Sequence, residues 1–186
     1  MKKHYYTYND VHNAALDLHL KMYKDGWRPD YIVGINRGGL PLALRLSHLL
    51  DVRMYTLDVC LRDGGDVGPE SNCWMSEDAF GSEYVEDRDA VWGKTVTKPE
   101  LRKNILIVDD INDTGATFKW IVQDWQSSCL PNDPAWDEIW GNNVRFAAMT
   151  ENLSSEFGEV SYSWHEVNKA EDDVWLVYPW EVGGKE

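Results

Sequence analysis

The chain has 186 residues, enough for one domain with a core of its own and too few for two comfortable domains. Its 18 Lys and Arg residues against 32 Asp and Glu residues give a formal charge of −14. This charge argues against a nucleic-acid or anionic-membrane surface, because such surfaces need clustered cations. Ten tryptophans disfavour disorder and predict aromatic packing or stacking.

The cysteines and the amino terminus indicate a cellular compartment. Cys60, Cys73 and Cys129 form no C-x-x-C pair, and an odd count without regular spacing is typical of reduced thiols. The first residues lack the apolar core of a signal peptide, and no apolar run approaches the length of a membrane span. We therefore expect a cytoplasmic protein with no membrane segment.

The first sixty residues read as a helix followed by a strand–helix–strand unit. Asp10 is the expected N-cap of the first helix, whose apolar residues recur at helical spacing until Gly26 ends it. Residues 31–35 are apolar throughout, which predicts a buried strand. A glycine turn at 36–39 leads to a helix over 40–50 and a strand over 52–59.

Residues 60–100 break this pattern. They are rich in glycine and acidic residues and show no sustained periodicity, apart from a possible short hairpin over 84–97. A long irregular stretch inside a compact domain is typically a functional lid or a disordered segment. We predict a mobile inserted lid.

Regular patterning returns in the second half. Residues 105–108, 144–149 and 160–165 predict further core strands, and a helix after the first of these buries Phe118, Ile121, Val122 and Trp125 on one face. Alternation of strands and helices predicts an α/β domain with a parallel-rich central sheet flanked by helices.

Two strand-to-helix turns carry the chemistry. Ligands of open α/β sheets bind at the carboxyl ends of the strands, where both turns lie. In the second turn, Asp113 to Thr117 offer small residues and hydroxyls at a helix start, where free N–H groups and the helix dipole bind phosphate. Asp109 and Asp110, just before, suit sugar hydroxyls or a hydrated Mg²⁺. A phosphorylated sugar satisfies both features.

These turns also resemble a known family. The segment ILIVDDINDTGAT (105–117) resembles the phosphoribosyl-pyrophosphate (PRPP) signature of type I phosphoribosyltransferases, and IVGINRGGLP (32–41) resembles their pyrophosphate loop. The segment WLVYPWE (175–181) is similar to the stretch that closes over the purine in the bacterial xanthine-guanine branch. Matching positions run in order through residues 28–60 and 100–182, and the stretch between them is unmatched.

The resemblance implies a fold and an activity. It implies one type I phosphoribosyltransferase domain over residues 1–186, with a lid at 60–100 and a small C-terminal hood at 150–186. The implied reaction is Mg²⁺-dependent transfer of phosphoribose from PRPP to a free nucleobase, a 6-oxopurine in this branch, with release of pyrophosphate. A homo-oligomer, dimer or tetramer, is expected.

The resemblance also assigns roles to residues. Asp113 would handle the proton at N7 of the purine as the catalytic residue, while Asp110 and Glu181 would hold the metal. Trp175 would stack on the base, and the Leu176 backbone and Asn152 would contact its edge. The implied PRPP-binding residues are Arg37, Gly38, Gly39, Asp109, Asp110, Thr114, Gly115, Ala116 and Thr117.

The identity of the acceptor stays open at this point. The branch has a lysine just after the strand that precedes the hood, where it reads the 6-oxo group, and Asn152 is the nearest equivalent. An amide can donate to a carbonyl or accept from an amino group. Two alternatives remain: a PRPP- or nucleotide-sensing regulator without turnover, and transfer to a different acceptor such as a pyrimidine or an amine.

Overall fold

The computed structural model describes residues 2–59, 73–86 and 93–181. Two short 3₁₀ turns, at Pro99–Leu101 and Pro134–Glu138, accompany the strands and helices. In chain order these elements are β1 (Lys2–Tyr5), α1 (Tyr8–Lys24), β2 (Tyr31–Asn36), α2 (Leu40–Leu50), β3 (Arg53–Asp58), α3 (Cys73–Phe80), β4 (Ser82–Val85), β5 (Lys94–Thr97), β6 (Ile105–Asn112), α4 (Ala116–Ser128), β7 (Val144–Asn152), β8 (Val160–Val167) and β9 (Val174–Val177).

Five strands form the central sheet in the order β3-β2-β6-β7-β8, and each neighbouring pair is parallel. Successive strand residues point to opposite faces, so Leu106 packs under α1 and α2 while Ile107 packs under α3 and α4. The sheet is thus covered by helices on both faces, as its continuous apolar strands require. The predicted α/β architecture is confirmed.

The first helix begins earlier than the sequence suggested. Thr7 is the N-cap, and its hydroxyl accepts from the Asp10 amide at 3.1 Å. The Asp10 carboxylate accepts in return from the Thr7 amide at 2.7 Å. The prediction that Asp10 caps the helix is wrong, because Asp10 is the third residue of the first turn and completes a capping box.

Part of the segment predicted as an irregular lid is a core element. Helix α3 buries Met75, Ala79 and Phe80, and the Ser76 hydroxyl donates to the Trp125 carbonyl of α4 at 2.7 Å. The prediction of an irregular lid is therefore wrong for residues 73–80, since burial against α4 stabilises a helix whose own sequence pattern is weak. The expected hairpin is present as β4 and β5. The rest of the predicted lid falls on residues 60–72 and 87–92, outside the described residues.

A two-stranded parallel sheet of β1 and β9 lies at the site of the expected hood. The sequence did not predict β1, which pairs along its whole length with β9 from Lys2↔Val174 to Tyr5↔Val177. Within 150–186, β8 belongs to the central sheet, so the hood is narrower than expected. In the described part of the chain no helix is long and apolar enough to cross a membrane.

Candidate active site

The two predicted turns lie side by side because β2 and β6 pair in parallel, from Tyr31↔Ile105 to Gly34↔Val108. Together with the hood they enclose an open cleft of about 1040 Å³. Its polar lining includes the predicted residues Arg37, Asp109, Asp110, Asp113, Thr117 and Glu181. The structure therefore brings together, at one edge of the sheet, residues that lie up to 144 positions apart in the chain.

The glycine turn packs tightly against the acidic strand. A Cβ built on Gly39 would lie 2.4 Å from the Val108 carbonyl oxygen and 2.9 Å from the Asp109 Cα. Only glycine permits so close an approach of two backbones. The Asn36–Arg37 peptide bond is cis, Arg37 is exposed, and Arg37 and Gly38 line the cleft.

The two adjacent aspartates extend a strand rather than occupying a loop. β6 continues to Asn112, four residues past the predicted end, because β7 pairs with it up to Asn112↔Glu151. Asp109 is 8 % exposed, and its Oδ1 accepts from the Asp110 amide at 2.9 Å. Burial first, and then the charge of Asp110, raises the pKa of the Asp109 carboxyl, and burial also raises the pKa of Asp110.

These carboxylates are suited to a divalent cation. Glu181 adds negative charge near Asp110, and its Oε2 accepts from the Tyr178 amide at 2.9 Å. Among the described residues, no Lys, Arg or His forms an ion pair with Asp109, Asp110 or Glu181. Nor does that part of the chain contain a cluster of three or more His, Cys, Asp or Glu side chains able to hold a metal. Any bound cation would therefore keep ligands from water or substrate, as Mg²⁺ does.

The second turn lies at the start of α4, where the sequence predicts an anion-binding site. Gly115 is the N-cap with φ of +86°, and it supplies no side-chain cap to the first-turn amides. A Cβ there would also lie 2.6 Å from the Phe157 amide nitrogen, so the position requires glycine. Thr114 to Thr117 line a second cavity of about 590 Å³, which shares Asp109, Asp110 and Asp113 with the main cleft. A helix N-terminus open on such a cavity attracts phosphate.

The hood presents an aromatic side chain to the cleft. Trp175 is 54 % exposed and lines the cleft, although a tryptophan side chain is on average highly buried in folded proteins. Leu176 also lines it, on the β9 strand that β1 holds through the His4↔Leu176 pairing. Trp180 stacks on Tyr178 with ring centroids 5.1 Å apart, which closes the hood end of the cleft. Trp175 is therefore not a core residue.

The sequence did not predict the role of Lys169. Its Nζ lies 3.0 Å from Asp113 Oδ1, and its side chain lines the cleft. It comes from the β8–β9 loop, far from both turns. The sequence does contain one signal for Lys169: lysine and arginine are rare in this part of the chain, and only Lys169 and Lys185 follow Arg145.

Asn152 lies behind this ion pair rather than at the predicted base edge. Its Nδ2 donates to the Asp113 carbonyl at 3.0 Å and to Asp113 Oδ1 at 3.2 Å, while its Oδ1 accepts from the Lys169 amide at 3.1 Å. Asn152 is 6 % exposed and is absent from the cleft lining. Its amide is engaged in holding two loops together, which corrects the expectation that it contacts a base directly.

Comparison with known proteins agrees with this geometry. Residues 3–125 match the model of the phosphoribosyl transferase domain family. The chain is 24 % identical to the hypoxanthine-guanine phosphoribosyltransferase of Schizosaccharomyces pombe over 183 residues, which cover 96 % of this chain and 88 % of that protein.

Solved structures show the same fold. A purine phosphoribosyltransferase from Pyrococcus horikoshii superposes with a TM-score of 0.62 at 23 % identity, covering 100 % of this chain and 99 % of the other. The xanthine-guanine-hypoxanthine phosphoribosyltransferase of Helicobacter pylori gives 0.61 at 17 % identity, covering 97 % and 93 %. With the family match spanning well over half of its length, the chain belongs to the phosphoribosyltransferase family and is an enzyme of the type I fold.

Proposed function

We propose that this enzyme transfers phosphoribose from PRPP to a 6-oxopurine such as hypoxanthine, guanine or xanthine. The observation that carries the choice of acceptor is the Lys169–Asp113 pair, 3.0 Å apart, which lines the cleft together with the exposed ring of Trp175. A carboxylate and an ammonium next to an aromatic face provide an acceptor, a donor and a stacking surface. A planar base with an N–H next to a carbonyl group needs all three.

The other end of the cleft suits the phosphorylated sugar. The first-turn amides of α4, with the Thr114 and Thr117 hydroxyls, would bind the 5′-phosphate. Asp109 would accept from the ribose hydroxyls, and Arg37 with the Gly38–Gly39 turn would face the pyrophosphate. With PRPP bound in this way, the anomeric carbon would lie between the proposed anion sites and the hood.

Asp109, Asp110 and Glu181, which form no ion pair with a described residue, support a requirement for Mg²⁺. Asp110 and Glu181 would hold the ion through oxygen ligands, the type that Mg²⁺ prefers. When bound, the ion would supply positive charge that neutralises the pyrophosphate leaving group.

The chemistry balances with one acidic residue. The bond from C1 of ribose to pyrophosphate oxygen breaks, and the bond from C1 to the base nitrogen forms. The base loses one proton from the ring nitrogen that faces Asp113, and the Asp113 carboxylate accepts that proton. The transition state is oxocarbenium-like, so the protein contributes mainly charge stabilisation and positioning.

Lys169 provides the selectivity. An ammonium group has three donors and no acceptor, so it stabilises a base carbonyl and gains nothing from an amino group. We therefore expect 6-oxopurines to be used and adenine to be rejected, because the amino group of adenine cannot accept a hydrogen bond from the half-buried ammonium.

The test is a panel of free bases with PRPP and Mg²⁺, monitored by pyrophosphate release. We expect release with at least one 6-oxopurine and none with adenine or pyrimidines. Lys169→Gln should lower kcat/KM for the 6-oxopurine by about 10- to 100-fold and narrow the preference over adenine. Lys103→Gln is the matched control. Lys103 Nζ lies 3.1 Å from Asp78 Oδ1, and neither residue lines the cleft.

Failure of this proposal would be recognisable. Release with a pyrimidine alone would assign a different acceptor. PRPP-dependent thermal stabilisation without release from any base would identify a binding protein that senses PRPP.

A further inference from the structure

The Asn152 side chain joins the two charged residues of the proposed base site from behind. It is buried at the last position of β7, and both of its polar atoms are engaged. Its Nδ2 lies 3.0 Å from the Asp113 backbone carbonyl oxygen and 3.2 Å from Asp113 Oδ1. Its Oδ1 lies 3.1 Å from the Lys169 amide nitrogen and 3.2 Å from the Ser154 amide nitrogen. One buried amide group therefore contacts both residues of the Lys169–Asp113 pair.

The orientation of the Asn152 amide group follows from its partners. The Asp113 carbonyl oxygen only accepts, so it requires the NH₂ end, and the Lys169 amide only donates, so it requires the oxygen. The NH₂ group has two protons, one for the Asp113 carbonyl and one for Asp113 Oδ1. Asn152 thus ties the Asp113 carboxylate to the backbone of the same residue, which restricts rotation of the carboxylate.

The two oxygens of the Asp113 carboxylate have different surroundings. Oδ1 accepts from Asn152 Nδ2 and lies 3.0 Å from Lys169 Nζ. In the part of the chain that the structure describes, both of these contacts fall on Oδ1 and none falls on Oδ2. The Asp113 side chain is 43 % exposed and lines the cleft. A ligand in the cleft would therefore find one carboxylate oxygen anchored and the other free.

We propose that Asn152 is a positioning residue that anchors Asp113 Oδ1 and the Lys169 backbone, so that Asp113 Oδ2 is the atom that takes the proton from the base. This inference rests on the proposed function and adds a residue and an atom to it. In the proton transfer, the N–H bond of the base breaks, an O–H bond to Oδ2 forms, and the ring nitrogen keeps the electron pair. Lys169 can remain on Oδ1 meanwhile, since its ammonium group has three protons and can donate another to a base carbonyl.

The places of these residues in the fold explain why such an anchor is needed. A general base must lie within hydrogen-bond reach of the proton that it accepts, and a small displacement lowers the rate strongly. Asp113 follows the end of β6, and Lys169 lies between β8 and β9, so both lie outside the central sheet. Asn152 is part of the sheet, where it pairs with Val167. The sheet therefore positions both charged groups through Asn152.

Two substitutions separate the hydrogen bonds that Asn152 donates from those that it accepts. Asn152→Asp keeps an acceptor for the Lys169 amide and loses both donors to Asp113. Its kcat with a 6-oxopurine should fall about 10- to 100-fold, while the preference over adenine is retained. Asn152→Ala loses both sets of hydrogen bonds. Its kcat should fall at least as far, and the preference should narrow because the Lys169 loop is released.

The matched control is Asn142→Asp. Asn142 Nδ2 donates to the Glu138 carbonyl at 3.2 Å, and neither residue lines the cleft, so wild-type kinetics should be retained. In both Asn152 variants KM for PRPP should change by less than about twofold, because the first turn of α4 is untouched. Wild-type kcat in Asn152→Asp, or a rise in KM for PRPP as large as the loss in kcat, would overturn the positioning role.

Urea unfolding tests the contact between Asn152 and Asp113 whether or not the protein turns over. In a double-mutant cycle of Asn152→Ala and Asp113→Ala, the destabilisation of the double variant should be less than the sum of the two single effects, because each single variant already removes the hydrogen bond to Oδ1. Additive effects would overturn the proposed anchor. If no base supports turnover in any protein, the proposed function fails, while the cycle still decides whether Asn152 holds Asp113.

Discussion

The two halves of the cleft are built in different ways. The phosphate half consists of the β2–α2 and β6–α4 turns, each a continuous segment on a buried parallel strand. The hood half combines β9, β1, the Lys169 loop and Asn152, which come from both ends of the chain. Each turn of the first half is local in sequence, whereas the β1–β9 pairing and the Lys169 and Asn152 contacts of the second half join separate segments.

Because of this difference, the two halves differ in which of their residues can be replaced. The phosphate half depends on backbone amides and on glycines that nothing else replaces, as the 2.4 Å approach at Gly39 illustrates. The hood half depends on side chains that different loops can supply, as Lys169 illustrates. We infer that PRPP recognition is fixed by the turns and that acceptor choice is adjustable in the hood.

Asp113 lies where the two halves meet, and its substitution should have the largest effect. Asp113→Asn removes the proton acceptor and should lower kcat by about 10²- to 10⁴-fold. PRPP affinity, measured by calorimetry, should change little, because the phosphate cradle is intact. Asp137→Asn, at an exposed position outside the cleft, is the control. An equal loss of PRPP binding would make Asp113 a structural anchor for Asn152.

Substitution of Gly39 should impair PRPP binding by the phosphate half. A Cβ in Gly39→Ala would collide with the Val108 backbone, which shifts the turn and should weaken PRPP binding by about 100-fold. Gly158→Ala is the control, because a Cβ at Gly158 meets nothing within 4 Å. Unchanged PRPP affinity in Gly39→Ala would show that the turn does not bind pyrophosphate.

The hood half should respond selectively at Trp175. Trp175→Ala removes the stacking face and should weaken base binding by about 1–3 kcal/mol, while Trp175→Phe should retain most of the affinity. PRPP affinity should be unaffected, which separates this change from that at Gly39. Trp74→Ala, at another exposed tryptophan, provides the comparison. Identical base affinity in Trp175→Ala and wild type would contradict stacking.

The smallest expected effect is a gain in the stability of the protein when Asp110 is replaced by Asn. Burial raises the pKa of Asp110 in the folded protein, so the contribution of this carboxyl to stability is fully present below the unfolded carboxyl pKa of about 4 and is lost as pH rises through the folded value. Asp110→Asn does not titrate there and should be about 1–2 kcal/mol more stable in chelator-treated protein, with activity strongly reduced.

Thermal melts at pH 6 and pH 8 with EDTA measure this stability difference. The gain should grow with pH, because the wild-type carboxyls ionise, and Mg²⁺ should reduce it by stabilising the wild type alone. A less stable Asp110→Asn protein at pH 8 would contradict the expectation that burial of the ionised Asp110 carboxylate destabilises the wild type.

Local sequence was sufficient for the central sheet and the phosphate half. The apolar runs at 31–35 and 105–108 are buried strands, and the helix that the sequence places after the second of them begins at Ala116. In these segments one stretch of chain contains both the apolar pattern and the polar residues that follow it. Neighbouring parallel strands then bring the turns together.

Only the tertiary structure determined α3, β1 and the position of Lys169. Helix α3 has a weak pattern of its own and is stabilised by burying Met75 and Phe80. β1 has four exposed residues and is a strand because β9 pairs with it. Lys169 reaches Asp113 because Asn152 ties its loop to β7. The sequence alone thus determined the fold class and the two strand-to-helix turns, since their signals are local, while α3, β1 and the position of Lys169 depend on contacts between distant segments.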